Sequence, residues 1–363
     1  MKLVIKVGTS TITDKNGVLN GQYISAFAQA VARLKKENNE ILIVSSGAIG
    51  AGLGRLKLQH RPSALREKQA LAAIGQPLIM NAYAKSFSLH NMLVAQVLLT
   101  RDDFENRVKY INARNTLCEL IERNVVPIIN ENDTVAVEEI NFGDNDTLAA
   151  LTACAVDADI LIILTDVDGL YDGIPSKSKL IDKIEKITPE IEKYATRKSS
   201  SGKGIGGMSA KIAAAKIAVS SGVDVIITNG SKLELLNNIA AKEKCGTLFK
   251  ADKRRLEAKK SWIAFGKKPK GNIVVDKKAA QALIENGKSL LAAGIVKASG
   301  NFKRGDTVII SEMESKKDFA RGLVNFDSAE MQKIKGKKSK EIQKIIASAE
   351  EEAVHRDNLV IIR

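Results

Sequence analysis

Over roughly the first 250 positions, short runs of β-branched and aliphatic residues alternate with longer segments in which apolar residues recur every three or four positions. The runs Leu3–Val7, Ile41–Val44, Leu93–Leu98, Val126–Ile129, Ile160–Leu164 and Val225–Thr228 read as strands. Most are apolar throughout, as strands covered on both faces should be. The segments Tyr23–Lys36, Ala64–Ile74, Asn112–Arg123, Asp146–Val156 and Ser209–Ser220 carry the helical period. This alternation predicts a three-layer α/β/α sandwich built on a mainly parallel sheet.

The pattern changes after Phe249. Lys250–Lys270 is rich in Lys and Arg and reads as a linker, with Trp262-Ile263-Ala264-Phe265 as an apolar island suited to docking. Short strand-like runs then follow: Ile273–Val275, Gly294–Lys297 and, after the turn Arg304-Gly305-Asp306, Thr307–Ile310. They predict a small, β-rich second domain. The expected boundaries are a large domain over 1–250, a linker over 251–270, a second domain over 271–350 and a C-terminal tail over 351–363.

Charge sharpens this division. Of the formal +14, residues 250–363 hold 26 Lys and Arg against 15 Asp and Glu, a net of +11, and the rest of the chain carries only +3. A basic module is either a solvated lysine-rich surface or a face for a polyanion such as RNA. Aromatic residues make up only 4% of the chain, which leaves few platforms for stacking single-stranded bases.

Cys118, Cys154 and Cys245 lie far apart with no CxxC spacing and read as reduced thiols of a cytoplasmic protein. His60, His90 and His355 are equally scattered, so a His/Cys metal centre is not expected. The apolar run at the start is short and broken by Lys6, unlike a secretory leader, and no stretch approaches the roughly 18 apolar residues of a membrane span. No membrane partner is expected.

In open parallel sheets, ligands gather at the carboxyl ends of the strands. The segments after these strands are rich in Gly, Ser, Thr, Asn and Asp: Gly8-Thr9-Ser10, Ser45 to Gly52, Asn130-Glu131-Asn132-Asp133, Thr165-Asp166 and Thr228-Asn229-Gly230. Lys6 interrupts the apolar first strand. Such a lysine either meets an anion, for which a phosphate would serve, or snorkels from an edge strand. The glycines of Ser46–Gly52 either let backbone N–H groups approach an anion or permit tight helix packing. Asp144 and Asn145 head a predicted helix and are also candidate caps.

The stretch Ser201 to Lys211, with glycines at 202, 204, 206 and 207, leads into a helix whose N-terminus attracts anions. It is not the GxxxxGK[ST] loop of Walker A proteins. Asp166, Asp168 and Asp172 do not form a calcium loop, because the twelfth position from Asp166 is Lys177.

In their order along the chain, Ile5-Lys6-Val7-Gly8-Thr9-Ser10, Val44-Ser45-Ser46-Gly47-Ala48-Ile49, Leu99-Thr100-Arg101, Asn130 to Asp133, Gly143-Asp144-Asn145-Asp146, Leu164-Thr165-Asp166 and Gly206 to Lys211 resemble the amino acid kinase family. The second domain resembles a PUA domain through Ser289-Leu290-Leu291, Gly294-Ile295, Gly300 to Asp306 and Ala320-Arg321-Gly322.

Within the family, the resemblance implies phosphorylation of the γ-carboxylate of L-glutamate by ATP with Mg²⁺, the opening step of proline synthesis. It implies that Lys6 and Lys211 neutralise the phosphoryl group in flight and that Asp146 orients both. Ser46, Asp133 and Asn145 are implied as the glutamate site, with Asp133 facing the ammonium. Thr165, Asp166, Ile205, Gly206, Gly207, Met208, Ser209, Ala210 and Lys211, together with Lys6, are implied as the nucleotide site, and no metal ligands are assigned. Ile205 and Ala210 stand where threonine is common in the family. The resemblance further implies a homo-oligomer (dimer or tetramer), feedback inhibition by proline and a functional link to glutamate-5-semialdehyde dehydrogenase. Two other readings stay open: a family member acting on acetylglutamate or a carbamate-like acid, and an RNA-binding protein acting through the PUA-like domain.

Overall fold

The central strand of the larger sheet is the first one in the chain. In the computed structural model, β1 (Lys2–Val7) pairs in parallel with β2 (Glu40–Ser45) on one side and β5 (Ile160–Thr165) on the other. The full order is β3 (Val94–Leu99), β4 (Val126–Glu131), β2, β1, β5, β7 (Asp224–Asn229), β8 (Thr247–Phe249) and β6 (Lys183–Ile184). All pairings are parallel except β7 with β8. β2 to β4 therefore lie on one side of β1 and β5 to β8 on the other, and this reversal of strand order opens a crevice at the carboxyl end of β1.

The structure describes residues 1–14, 16–58, 60, 62–136, 144–173, 178–196, 205–240, 245–251, 269–315, 317–337, 341–342, 345–346 and 352–362. Gly143, residues 201–204 and most of the expected linker, with its Trp262–Phe265 island, lie outside them. The chain divides into two compact units, one of Met1–Asp103 with Arg107–Arg255 and one of Phe104–Asn106 with Leu256–Arg363. No helix among the described residues is long and apolar enough to cross a membrane.

Alternation along β1 sorts its side chains between the two helical layers. Leu3, Ile5 and Val7 share a buried cluster with Ile24, Phe27 and Val31 of α2 (Gly21–Lys36) and with Ile79, Tyr83 and Phe87 of α4 (Leu65–Ser88). Lys6 has the opposite parity and meets the other layer, which holds α7 (Asp144–Ala155) and α9 (Ile205–Ser220). α2 starts where the Asn20 side chain accepts from the N–H of Tyr23 and ends with Arg33, Lys35 and Lys36 in its last turn, both favourable to its dipole.

Two helices differ from the sequence expectation. The glycine-rich stretch after β2 is mostly helical: α3 spans Ala48–Leu56 and begins at Gly47, whose φ of +103° suits glycine. α4 runs on to Ser88, through Gly75, Gln76 and Pro77 and well past its expected end at Ile74. Pro77 removes one intrahelical hydrogen bond. Burial of Ile79, Tyr83 and Phe87, none of them measurably exposed, outweighs that loss.

The second unit carries a five-stranded sheet in the order β11 (Ile295–Gly300), β9 (Gly271–Val275), β12 (Thr307–Glu312), β13 (Asp318–Leu323) and β15 (Leu359–Ile361). Only β9 and β12 pair in parallel. A second pair joins β10 (Leu290–Leu291) to β14 (Glu352–Val354). Ile273, Phe302, Ile310, Phe326 and Met331 anchor its own core. Asp276 caps one helix, Lys277–Asn286, and Asp327 with Glu330 forms a capping box on another, Ser328–Ile334.

Residues 351–363, expected as a tail, instead supply β14 and β15. Ala353, Val354 and Val360 are buried there. Runs of three residues are too short for the strand period to be read from sequence.

Candidate active site

The end of β1 fixes the first element of the site. Lys6 is held in register between Val44 of β2 and Ile163 of β5, so it belongs to the sheet centre and is only 7% exposed. The edge-strand reading is thereby excluded. Its ammonium lies 2.8 Å from Oδ1 of Asp146, which sits in the first turn of α7 and is itself 1% exposed. Lys211, in the second turn of α9, donates from Nζ to the other oxygen, Oδ2, at 3.1 Å and to the Gly207 carbonyl at 3.3 Å. The expected glycine loop is already helical from Ile205, which places Lys211 one turn deeper than the sequence suggested.

Two ammoniums on one carboxylate leave a buried excess of positive charge. Burial pushes the Lys6 pKa below the usual lysine value; Asp146 counters this, and repulsion from Lys211 adds to it. A dianionic phosphoryl group arriving here would supply the missing counter-charge and favour the protonated lysine.

At the adjoining strand ends lie polar groups able to hold a small acid. Ser46 follows β2, is buried and donates its backbone N–H to the Val7 carbonyl at 3.1 Å. Asp133 follows β4 and is also buried. Asn145 precedes Asp146 on α7, and its Nδ2 donates to Oδ1 of Asn130 at 3.2 Å. Asn130, the fifth residue of β4, in turn donates from Nδ2 to Oε1 of Gln76 on α4 at 2.7 Å. Gln76 gave no sequence signal, because it stands beyond the expected end of its helix.

The opposite side of β1 offers a second group of polar residues. Thr165 ends β5, and its Oγ1 donates to Oδ1 of the exposed Asp166 at 3.1 Å. The N–H of Gly230, after β7, donates to the Thr165 carbonyl at 2.8 Å. Asp168 accepts from Nζ of Lys232 at 2.8 Å and from Nδ2 of Asn229 at 3.0 Å. The lysine first, then the amide, holds its carboxyl below the usual carboxylate range. Neither Asp168 nor Lys232 had been singled out as a site residue. Gly207, Met208, Ser209 and Ala210 are half-buried along the first turns of α9. Among the described residues no three His, Cys, Asp or Glu side chains gather as a metal site.

A mostly parallel sheet with helices on both sides thus carries a Lys–Asp–Lys cluster at the end of its central strand, a concentration of positive charge suited to a phosphoryl group. Residues 1–229 match the amino acid kinase family, to which the chain belongs, and residues 271–346 match the PUA domain. Similar proteins include the glutamate 5-kinases of Thermoanaerobacter pseudethanolicus and Caldanaerobacter subterraneus subsp. tengcongensis, each 48% identical over 366 residues that cover 100% of this chain and 98% of the relative. The glutamate 5-kinase of Moorella thermoacetica is 45% identical over 365 residues, covering 99% of this chain and 96% of its own.

Proposed function

We propose that the chain transfers the γ-phosphoryl group of ATP to the γ-carboxylate of L-glutamate, giving γ-glutamyl phosphate and ADP, as the first step of proline biosynthesis. The bridging of Lys6 and Lys211 by Asp146 carries this reading. Support also comes from full-length similarity to proteins named glutamate 5-kinase.

In the reaction, a carboxylate oxygen of glutamate attacks the γ-phosphorus while the bond to the β,γ-bridging oxygen breaks and ADP departs with that electron pair. The attacking carboxylate is ionised at neutral pH, so no protein base is required. The protein's work is placement and charge stabilisation. Lys6 and Lys211 meet the equatorial oxygens of the group in transit, and Asp146 holds both ammoniums at the strand end. Ser46, Asp133 and Asn145 hold glutamate, with the Asp133 carboxylate facing its ammonium. Thr165, Asp166 and the stretch Ile205 to Lys211 hold the nucleotide. Both oxygens of Asp146 are engaged by lysines, so Mg²⁺ fits this site as an ion carried by the ATP phosphates and water.

The test is an ATP- and Mg²⁺-dependent assay in which hydroxylamine traps the acyl phosphate, run with L-glutamate, N-acetylglutamate, L-aspartate and carbamate. Signal with L-glutamate alone is the expected result. Signal with N-acetylglutamate instead would move the assignment to another acceptor, and no signal from folded protein would overturn it.

A further inference from the structure

The amide chain at the end of β4 is open at both ends. Asn130 sets its direction: Oδ1 accepts from the backbone N–H of Glu131 at 2.9 Å, so Nδ2 points the other way, to Oε1 of Gln76. Gln76 must therefore turn its own Nε2 away from Asn130, and that nitrogen is buried without a hydrogen-bond partner among the described residues. At the other end Asn145 gives Nδ2 to Asn130, which leaves its Oδ1 buried and without a hydrogen-bond partner among the described residues. Exchanging oxygen and nitrogen on any one of the three amides breaks the chain, so the donor end and the acceptor end are fixed.

A buried donor and a buried acceptor left open at the two ends of one amide chain are unfavourable unless something completes them. The pair is complementary to an α-amino acid zwitterion, whose carboxylate accepts where Nε2 donates and whose ammonium donates where Oδ1 accepts. Gln76 is only 8% exposed, and its position is set by close packing of α4 on α3, where Gly75 lies against the carbonyl of Ala48. We propose that Gln76 is a substrate-binding residue that donates from Nε2 to the α-carboxylate of the amino acid and so sets its orientation at the phosphoryl acceptor site. The proposal rests on the placement of the glutamate site at Asn145 and Asp133.

Gln76→Glu is the informative variant. It keeps an acceptor for Asn130, removes the donor and opposes the substrate carboxylate with a second negative charge. The expected result is a rise in KM for L-glutamate on the order of tenfold or more, with KM for ATP within about twofold of the unaltered protein. Gln76→Met, which lacks the donor without adding charge, should shift the same constant in the same direction. In the unaltered protein, the Gln76 side-chain amide resonance should move on addition of L-glutamate and not on addition of a non-hydrolysable ATP analogue.

An unchanged KM for L-glutamate in a folded variant, an equal rise in both KM values, or an amide resonance indifferent to L-glutamate would overturn the proposal. Asn145→Ala and Asp133→Ala separate the two levels of the argument. If they raise the glutamate KM and the Gln76 variants do not, only the role of Gln76 falls. If none of the four does, the placement of the glutamate site falls with it.

Discussion

Lys6 and Lys211 lie far apart in the chain, yet their ammoniums occupy the two oxygens of one buried carboxylate, Asp146, at 2.8 and 3.1 Å. Neither lysine could be held here without that shared partner, because like charges this close repel and water is largely excluded. On the proposed mechanism a phosphoryl group passing over the end of β1 would meet both at once. Replacing Lys211 by Ala removes one ammonium but leaves Lys6 paired with Asp146. Turnover should fall by on the order of 10²-fold or more while the far-ultraviolet dichroism and the unfolding temperature stay near those of the unaltered protein. Near-normal kcat in the folded variant would remove the role given to Lys211.

Asp146→Ala is expected to behave differently, since it leaves the buried Lys6 and the largely covered Lys211 without their shared counter-ion. Breaking such a buried arrangement costs about 3–5 kcal/mol, so stability and activity should be lost together. ATP should restore part of the unfolding temperature by supplying negative charge at the same place. Calorimetry with and without nucleotide separates this from a simple packing defect, which ATP would not preferentially relieve.

The lowered pKa of Lys6 gives a pH dependence with a definite sign. Its ordinary value is 10.5, and burial brings the folded value below that. In the free enzyme, kcat/KM for ATP should therefore decline on the alkaline side before pH 10.5, as the ammonium facing the phosphate is lost. The stability effect is opposite: between the folded and unfolded values the unfolded chain binds more protons, so this residue's unfavourable contribution shrinks as pH rises. A kcat/KM profile level up to the ordinary lysine range would contradict the shift.

Much of this was legible in the sequence, for physical reasons. Fully covered parallel strands are long apolar runs, so β1, β2, β4, β5 and β7 stand out, and a lysine inside one of them marks Lys6 directly. α3 was hidden because its glycines read as loop, although Gly47 serves a left-handed start and Gly52 and Gly54 serve close packing. The end of α4 was hidden because Gly75 and Pro77 imitate a terminus, and with it went Gln76. Asp168 and Lys232 lack periodicity and pair only through the fold. β14 and β15 are three residues each and show their partners only in three dimensions.

Gly75 ties the packing of α4 on α3 to the position of Gln76, and so to the proposed glutamate site. A methyl group there would run into the Ala48 carbonyl and stand 2.6 Å from the Gly52 nitrogen, both backbone atoms that cannot turn aside. Gly75→Ala should therefore destabilise the protein by about 1–3 kcal/mol or more through overpacking. By displacing Gln76, it should also raise the glutamate KM more than the ATP KM. A variant as stable as the original, with both constants unchanged, would show that α3 and α4 separate at little cost.

The last segment offers a separate test, independent of the reaction. A chain ending at residue 350 lacks both β14 and β15, and with them Ala353, Val354, Leu359 and Val360, all buried in the second unit. Burying an aliphatic side chain is worth about 1.5–3 kcal/mol, so losing three of them and an alanine approaches the roughly 5–15 kcal/mol that holds a domain together. The truncation also leaves β10 without its partner and makes β13 an unprotected edge. The second unit of such a chain should be cleaved rapidly by protease within residues 271–350, at sites that mass spectrometry can map. Resistance equal to that of the full chain would mean that β14 and β15 rest on a core already complete without them, and residues 351–363 would then be a tail after all.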